Sequence, residues 1–492
     1  MSRSIISKFP PPATPRGWRV PAPSRVAEAD VRVSGQALLK RIHDTAAFGA
    51  QPHYGPRKHD AGVRRLALTR ADAHVRDWFV REAKLHRCTV TTDAAGNMFA
   101  VRPGRRPGPP TYMGSHLDTQ PAAGRYHGVL GVCAAFEVLS SLDMFRVETE
   151  FPLGVVNWTN GEGARFPKPT MGSGVWAGTI DIEDALRTSE VRGGSATVYS
   201  ALRQLGFTSK IPASHLAVPM AAHFELHIEQ GPVLEAARQR IGVVQGAQAY
   251  RWYTVDVHGR EAHTGTTSLA ARSDALLAAA RMVTQIHDMV VRHGEDALAS
   301  VGLMEVKPGS VNTIPGHVRF HLDVRAPRTE TVMAVEKKMR HVLRAVAAEG
   351  GANLTCEIST DASSPAVTFD QECIKVVREA ADGVLDGGWG KGLIRDMTSG
   401  AGHDSVNTSK RCPTGMIFVP SKNGISHNPR EFTRDEDCEL GANVLLRSVL
   451  AYDRIRGERA RGGADGDDHD HGVPGEEESP MSKLSGALQF LS

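Results

Sequence analysis

Short apolar segments alternate with amphipathic helical patterns in the first third of this chain, and this alternation restricts the fold more than any other feature. Residues 111–114 and 153–158 read as buried strands, with a helix predicted between them at 128–142. An earlier helix is predicted over 69–87. Strands that alternate with helices form a mostly parallel sheet covered by helices, and ligands bind beyond the carboxyl ends of its strands. We therefore expect an α/β fold with its functional site at that edge.

A second module is predicted between residues 245 and 360. Its order, β-α-β-β-α, suits a small α+β sandwich. The pattern after residue 365 returns to that of the first part, so the module is predicted to be an insertion. Its predicted elements are a strand at 253–257, a helix at 273–291, a strand pair around Val311 and at 320–324, and a helix at 331–349.

The two ends of the chain differ from the rest in composition. Residues 1–27 hold five basic residues and no acid, which hints at a transit peptide, but six prolines would break the helix that such a peptide needs. The end of the chain is rich in Gly, Asp, Glu and His. The predicted domains are a Pro-rich arm (1–34), a catalytic domain in two parts (35–244 and 361–458) around the insertion (245–360), and a disordered tail (459–492).

Charge and cysteine usage exclude several classes of protein. A net charge of +3 over 492 residues gives no argument for nucleic acid or a membrane as a main partner. The sequence has no apolar run long enough to span a membrane, and its six cysteines include no CxxC pair. We expect a cytoplasmic protein with reduced thiols that acts on a small molecule, with organelle import as the alternative.

Histidines and carboxylates follow several of the predicted strands. His116 and Asp118 lie two residues apart in Gly114-Ser-His-Leu-Asp-Thr, so they point the same way on an extended segment. A carboxylate placed in this way can orient a metal-bound imidazole. Glu162, His227 and His427 follow later strands. Because such strand ends can converge on one point, the sequence predicts a metal centre there.

These motifs and several others resemble those of the M20-type amidohydrolases, which include N-carbamoyl-L-amino-acid hydrolase, β-ureidopropionase and allantoate amidohydrolase. The resemblance runs from about residue 65 to 433. It implies a di-metal peptidase-like sheet, mixed or parallel and flanked by helices, with an inserted α+β sandwich that serves as lid and dimerisation domain. It also implies a homodimer that hydrolyses a C–N bond of a small ureido or amide acid. Further matching segments are Met171-Gly-Ser-Gly-Val-Trp-Ala-Gly, Glu225-Leu-His-Ile-Glu-Gln-Gly, His263-Thr-Gly-Thr-Thr, Val311-Asn-Thr-Ile-Pro-Gly and Ser399-Gly-Ala-Gly-His-Asp.

The resemblance fails at two positions of the site. His116, Glu162, His227 and His427 match the metal ligands of the family, but His127 stands where the family has a bridging aspartate. Gly161 stands where the family has the glutamate that acts as general base. Loss of a general base typically costs ~10²–10⁴ in rate.

These departures predict an altered metal centre. A neutral imidazole offers one lone pair and no charge, so His127 cannot bridge two metals unless it is fully deprotonated. His116, His127 and His227 remain as a three-histidine set with an open fourth position, a type of zinc site that activates water without a carboxylate base. We expect one tight divalent metal rather than two, zinc first, with manganese, cobalt or nickel as alternatives.

The resemblance also implies residues that hold the substrate. His263 matches a lid histidine that helps to polarise the substrate carbonyl, often across the dimer, and Gln230, Asn312 and Arg325 match substrate-binding positions. His403 is expected to be structural. The main hypothesis is an active amidohydrolase with altered chemistry, and the alternative is a pseudoenzyme that binds ligand or pairs with an active homologue. An ordinary aminopeptidase fits the motifs less well.

Overall fold

The structure is a computed structural model, and it describes residues 30–56, 59–191, 194–292, 294, 297–351, 353–385 and 392–462. The predicted arm, up to residue 29, and the predicted tail beyond residue 462 lie outside these ranges. Within them, no helix combines the length and the apolar character needed to cross a membrane.

A mixed sheet of nine strands forms the centre of the larger part of the fold, as the sequence predicts. Its central strands run parallel, and antiparallel pairs lie toward both edges. With strands numbered in chain order, the sheet runs from one edge to the other as β15 (Val367–Thr368), β8 (Ile241–Ala247), β17 (Thr414–Val419), β7 (Ala222–Ile228), β5 (Thr111–His116), β6 (Leu153–Trp158), β4 (Met98–Arg102) and β3 (Thr89–Thr92), with β16 (Ile394–Ser399) also paired to β8.

Helices cover this sheet. Helix α3 is almost entirely apolar and buried, because it packs between the central strands and other helices. Helix α2 begins after Thr69, whose hydroxyl accepts a hydrogen bond from the Asp72 amide, as expected for an N-cap. The helices of this part are α1 (Gly35–Ala46), α2 (Arg70–Leu85), α3 (Val129–Met144), α4 (Met171–Ala177), α5 (Ile182–Arg187), α6 (Val198–Leu205), α7 (Val233–Ala236), α10 (Gln371–Leu385), α11 (Asp404–Thr408) and α12 (Asp435–Gly462).

A second, antiparallel sheet of four strands has its own apolar core. Helices α8 (Ala275–Val291) and α9 (Thr329–Glu349) pack on one face, and the other face is largely polar. The strands of this sheet lie in the order β11 (Leu298–Lys307), β13 (His317–Ala326), β9 (Ala249–His258) and β14 (Thr355–Ser364). Two separate antiparallel pairs are also present, β1 (Ala50–His53) with β2 (Ala61–Val63) and β10 (Ala262–His263) with β12 (Thr313–Ile314).

Val311 itself is not in a strand but is fully exposed in a turn, and the short strand β12 begins two residues later, at Thr313, and pairs with β10. The strands β11 and β14 were not predicted from the sequence. Both are edge strands with exposed residues on both faces, so neither carries the alternation of apolar and polar residues that identifies a half-buried strand.

The parallel strands deliver the predicted site residues to one edge. His116 is the last residue of β5, His227 lies one residue before the end of β7, and Glu162 follows β6. His427 follows β17 after a loop. The carboxyl ends of these strands meet at the same edge because the strands run in the same direction.

Candidate active site

A cavity of about 770 Å³ lies beyond these strand ends, bounded on one side by the nine-stranded sheet and on the other by the four-stranded one. Predicted site residues from both modules line it, namely His116, His127, Glu162, Gln230, Arg325 and His427. His227 lies beneath its floor and is almost completely buried. A pocket of this size and position is typical of a small-molecule site.

Three buried histidines, His116, His127 and His227, bring ring nitrogens within 4.8 Å of one another. His116 Nδ1 donates to the Asp118 carbonyl at 3.0 Å, and His227 Nδ1 donates to the Ile228 carbonyl at 2.7 Å. Because a carbonyl only accepts, Nε2 of each ring carries a lone pair when the ring is neutral. Against the effect of burial, the charges of Asp118 and Glu162 raise the pKa of His116 to about 9, so a metal would displace a proton from this ring. Among the described residues, His227 Nε2 has no hydrogen-bond partner although it is buried, as expected for an atom that binds a metal.

A hydrogen-bond chain fixes the orientation of His127. Ser426 Oγ donates to Glu431 Oε2 at 3.2 Å, so it accepts from His127 Nδ1 at 3.1 Å. His127 therefore also presents Nε2 toward the cavity. Burial, and then the neighbouring histidines, hold the pKa of His127 well below its ordinary value. The ring is thus neutral and able to act as a ligand.

A second, weaker group shares His127 with Glu162 and His427. Glu162 Oε2 lies 3.4 Å from His427 Nε2 and accepts a hydrogen bond from Gln120 at 2.9 Å. Glu162 Oε1 is buried and has no hydrogen-bond partner within the described part of the chain, although His127 Nε2 lies 3.8 Å away. Since His127 Nε2 offers a single lone pair, only Glu162 and His427 remain for a second cation.

Asp118 acts on this site mainly through the backbone. Its carboxylate accepts the amide N–H groups of Gly161 at 2.9 Å and Glu162 at 3.1 Å, and its Oδ1 lies 3.8 Å from His116 Nδ1. The predicted orientation of His116 thus comes from the carbonyl of Asp118, while the carboxylate holds the segment that carries Glu162. Burial raises the pKa of Asp118 to about 6, against the opposing charge of His116.

The His116 ring lies between two glycines. A Cβ at Gly161 would lie 2.4 Å from His116 Cγ, and a Cβ at Gly128 would lie 2.5 Å from its Cε1. Gly128 also has a φ of +69°, which disfavours any other residue. In this arrangement the space next to Gly161 is filled by His116, so a side chain at 161 requires the ring to move.

Arg325 and Gln230 face the cavity, whereas His263 and Asn312 do not. Arg325 donates from Nε and Nη2 to Asp323 and from Nη1 to the Gly400 carbonyl. His263, in β10, and Asn312, just before β12, lie at the surface beside the antiparallel pair of these two short strands, outside the cavity lining. The described chain therefore brings together all five predicted metal ligands and two of the four predicted substrate residues.

The cavity is also lined by three residues that were not assigned to it from the sequence, namely His403, Asp404 and Glu225. The ring of His403 stands 4.6 Å from that of His227, and its Nε2 lies 2.8 Å from Ser399 Oγ. Glu225 accepts hydrogen bonds from Ser115 and Ser405. Its position two residues before His227, on the same face of β7, was a signal that could have identified it.

Comparisons with known proteins find a matching family, similar sequences and similar solved structures. A model of peptidase family M20/M25/M40 matches residues 112–451. An N-carbamoyl-L-amino-acid amidohydrolase of Rhizobium meliloti is 36% identical over 79% of this chain and 91% of its own length. The allantoate amidohydrolase of Bacillus subtilis is 31% identical over 80% of this chain and 94% of its own. A hydantoinase/carbamoylase family amidase of Burkholderia vietnamiensis, with a solved structure, is 40% identical with a TM-score of 0.78, covering 86% of this chain and 98% of that one.

Proposed function

The chain belongs to peptidase family M20/M25/M40, and on this premise we propose that it is a metal-dependent amidohydrolase for a small ureido or amide acid, with an altered metal centre. Relatives named for hydrolysis of N-carbamoyl amino acids and allantoate support the bond type. The observation that carries the altered centre is the convergence of three buried imidazoles whose free nitrogens lie within 4.8 Å of one another.

These residues fit one divalent cation. His116, His127 and His227 would hold it, zinc first, with manganese, cobalt or nickel as alternatives, and its chemistry would be that of a Lewis acid. The unpartnered Nε2 of His227 supports this assignment, since a buried ring nitrogen without a partner is costly unless a ligand satisfies it. A second cation beside the first would have Glu162 and His427 as ligands that it does not share with the three-histidine set, too few to bind tightly.

The protein's own groups would position the acid. Arg325 has five N–H donors, of which Asp323 and Gly400 take three. The remaining two, one on each terminal nitrogen, form a fork that matches a carboxylate. Gln230 borders the cavity on the metal side, where its amide nitrogen donates to Ser426 Oγ at 3.1 Å and lies 3.4 Å from His427 Nε2.

A homodimer through the four-stranded module would complete the site. His263 and Asn312 lie outside the cavity of their own chain, and a partner subunit could supply them. The edge strand β11 exposes Leu303 and Met304, an apolar edge of the kind that pairs with a second chain. The six unpaired cysteines support a reducing, cytoplasmic location.

The alternative is a pseudoenzyme that keeps the pocket for binding or pairs with an active homologue. Two residues favour this alternative. Gly161 stands at the position of the family's general base, and His127 stands at the position of its bridging aspartate. The free fork of Arg325 and the free ring nitrogens favour activity.

Metal content per protomer, measured by elemental analysis together with hydrolysis of N-carbamoyl amino acids, tests the proposal. We expect about one tightly bound metal. His127→Ala should lose it, while the control His287→Ala, at an exposed position on α8, should keep it. Two tight metals with normal turnover would show that His127 bridges as imidazolate. No metal and no turnover would establish the pseudoenzyme.

A further inference from the structure

One wall of the cavity is formed by side chains from three neighbouring strands of the four-stranded sheet. Tyr250 and Trp252 lie on β9, Arg325 on β13 and Leu298 on β11, and all four line the cavity. Arg325 pairs across the sheet with both Tyr250 and Leu298. Alternate residues of these strands pack against α8 and α9, so the wall lies on the opposite face, toward the nine-stranded sheet.

Arg325 is the only one of these four side chains that carries a charge. The rings of Tyr250 and Trp252 stand 5.7 Å apart, and the guanidinium of Arg325 lies 5.4 Å from the centre of the Tyr250 ring. Leu298 is 60% exposed although it faces a cavity. An apolar side chain left open at a cavity wall offers contact area to a bound molecule.

The polar groups nearest to this wall are already engaged. The Gln248 side chain donates to the Gly400 carbonyl at 2.8 Å. Asp323 accepts hydrogen bonds from Nε and Nη2 of Arg325. What remains at this wall is two N–H groups of Arg325, the indole N–H of Trp252, which is buried and has no hydrogen-bond partner among the described residues, and apolar surface. Against the ring faces and Leu298, a polar side chain would lose hydration without gaining hydrogen bonds.

We propose that Tyr250, Trp252 and Leu298 form a subsite for the substrate's side chain, and that the substrate is an acid with a large apolar, preferably aromatic, group on the carbon next to its carboxylate. The proposal rests on the proposed function for the carboxylate at Arg325. Once the carboxylate binds this arginine, a group attached one carbon away lies against the flanking rings and Leu298. Offset or edge contacts between aromatic rings add to the apolar burial.

Binding of two probes to the metal-loaded protein, measured by stopped-flow mixing before hydrolysis proceeds, tests the subsite. The probes are N-carbamoyl-L-phenylalanine and N-carbamoylglycine, which share the carboxylate and the ureido group and differ in the side chain. We expect the wild type to bind the phenylalanine probe at least ~10-fold more tightly. Trp252→Ala should remove most of this preference and leave the affinity for the glycine probe within about twofold.

Two further variants keep the test independent of folding at position 252. Leu298→Ser changes an exposed side chain and should also lower the preference, whereas Tyr199→Ala, at an exposed tyrosine outside the cavity, should not change it. Arg325→Lys should weaken both probes equally, because the fork serves the carboxylate that they share.

The outcomes separate the two proposals. Equal affinity of the wild type for both probes would overturn the subsite and leave the proposed function standing. A preference that survives both Trp252→Ala and Leu298→Ser would also overturn it. Binding of neither probe would overturn the proposed function, and the subsite with it.

Discussion

The tight packing around His116 connects the two unusual residues of the site. Its ring is held at Nδ1 by the Asp118 carbonyl and enclosed by Gly128 and Gly161. The absence of a side chain at Gly161 therefore has a second effect. It leaves the space that the His116 ring occupies beside His127, whose side chain is larger than that of an aspartate. On the proposed departure from the family, changes at 127 and 161 act on the same ring, so their effects should not be additive.

A single methyl group at position 161 should disturb the metal site. Gly161→Ala places a Cβ 2.4 Å from His116 Cγ, so the ring must shift and the three nitrogens lose their alignment. We expect metal affinity, measured by competition with a chromogenic chelator, to fall at least ~10-fold. Gly302→Ala is the matched control, since no described atom lies within 4 Å of its added Cβ. Unchanged affinity in Gly161→Ala would contradict the packing argument.

Restoring both family residues should restore the family's chemistry. His127→Asp with Gly161→Glu supplies a two-oxygen bridge and a base, and the smaller side chain at 127 gives His116 room to move away from residue 161. We expect the double variant to bind two metals and to hydrolyse N-carbamoyl amino acids faster by orders of magnitude, whereas Gly161→Glu alone should lose metal. Additive effects of the two single changes would show that the positions are independent.

At the level of strands and helices, burial decided what could be predicted from the sequence. Helix α3 and the strands β5 and β6 are buried, so their apolar runs identified them within a few residues. The edge strands β11 and β14 expose both faces, and their sequences carry no period that separates them from loops. The convergence of the histidines followed from their positions after parallel strands.

Side-chain contacts within the site could not be predicted in the same way. The hydrogen-bond chain from His127 through Ser426 to Glu431 joins residues about 300 positions apart in the sequence. No local pattern encodes it. The exposure of His263 and Asn312 likewise depends on the pairing of β10 with β12, two short strands about 50 residues apart in the sequence.

Strand β7 carries a buried histidine whose effect on stability depends on pH. Burial lowers the pKa of His223 from 6.5 to about 3, so the folded chain keeps the ring neutral while the unfolded chain takes up a proton below about pH 6.5. The stability that the neutral ring contributes is complete above pH 6.5 and is lost as the pH falls toward 3. The expected slope is about 1.4 kcal/mol per pH unit in this window.

Chemical unfolding at pH 7 and pH 5 tests this expectation. His223→Gln should lose less stability between these values than the wild type, by about 2 kcal/mol. His287→Gln, at an exposed position, should behave like the wild type. Parallel losses in all three proteins would show that His223 does not titrate on unfolding.

At the scale of the whole molecule, the cavity lies between two sheets with separate apolar cores. One module carries the candidate metal ligands and the other carries Arg325 and the aromatic wall. The β10–β12 strand pair, which carries His263, belongs to the second module but lies outside the cavity of its own chain. A dimer through this module would therefore change the composition of each site as well as the stability of the fold.

Mixing two inactive variants tests whether sites are shared between subunits. His116→Ala should remove the metal from its own subunit, and His263→Ala should remove the group that the partner's site needs. After the two proteins are mixed and reassociated, mixed dimers should regain part of the wild-type activity, because each contains one site with both groups intact. Each variant reassociated alone is the control. No recovery, despite mixed dimers in native mass spectrometry, would place His263 outside the partner's site.

The enclosure of His116 by glycines also bears on how this protein could change over generations. If Gly161 reverted to an acid first, the intermediate would lose the position of His116 and with it the metal. If His127 reverted first, the intermediate would keep His116 in place and gain a carboxylate ligand. On the proposed departure from the family, a series of single substitutions toward the family's usual centre should therefore begin at position 127.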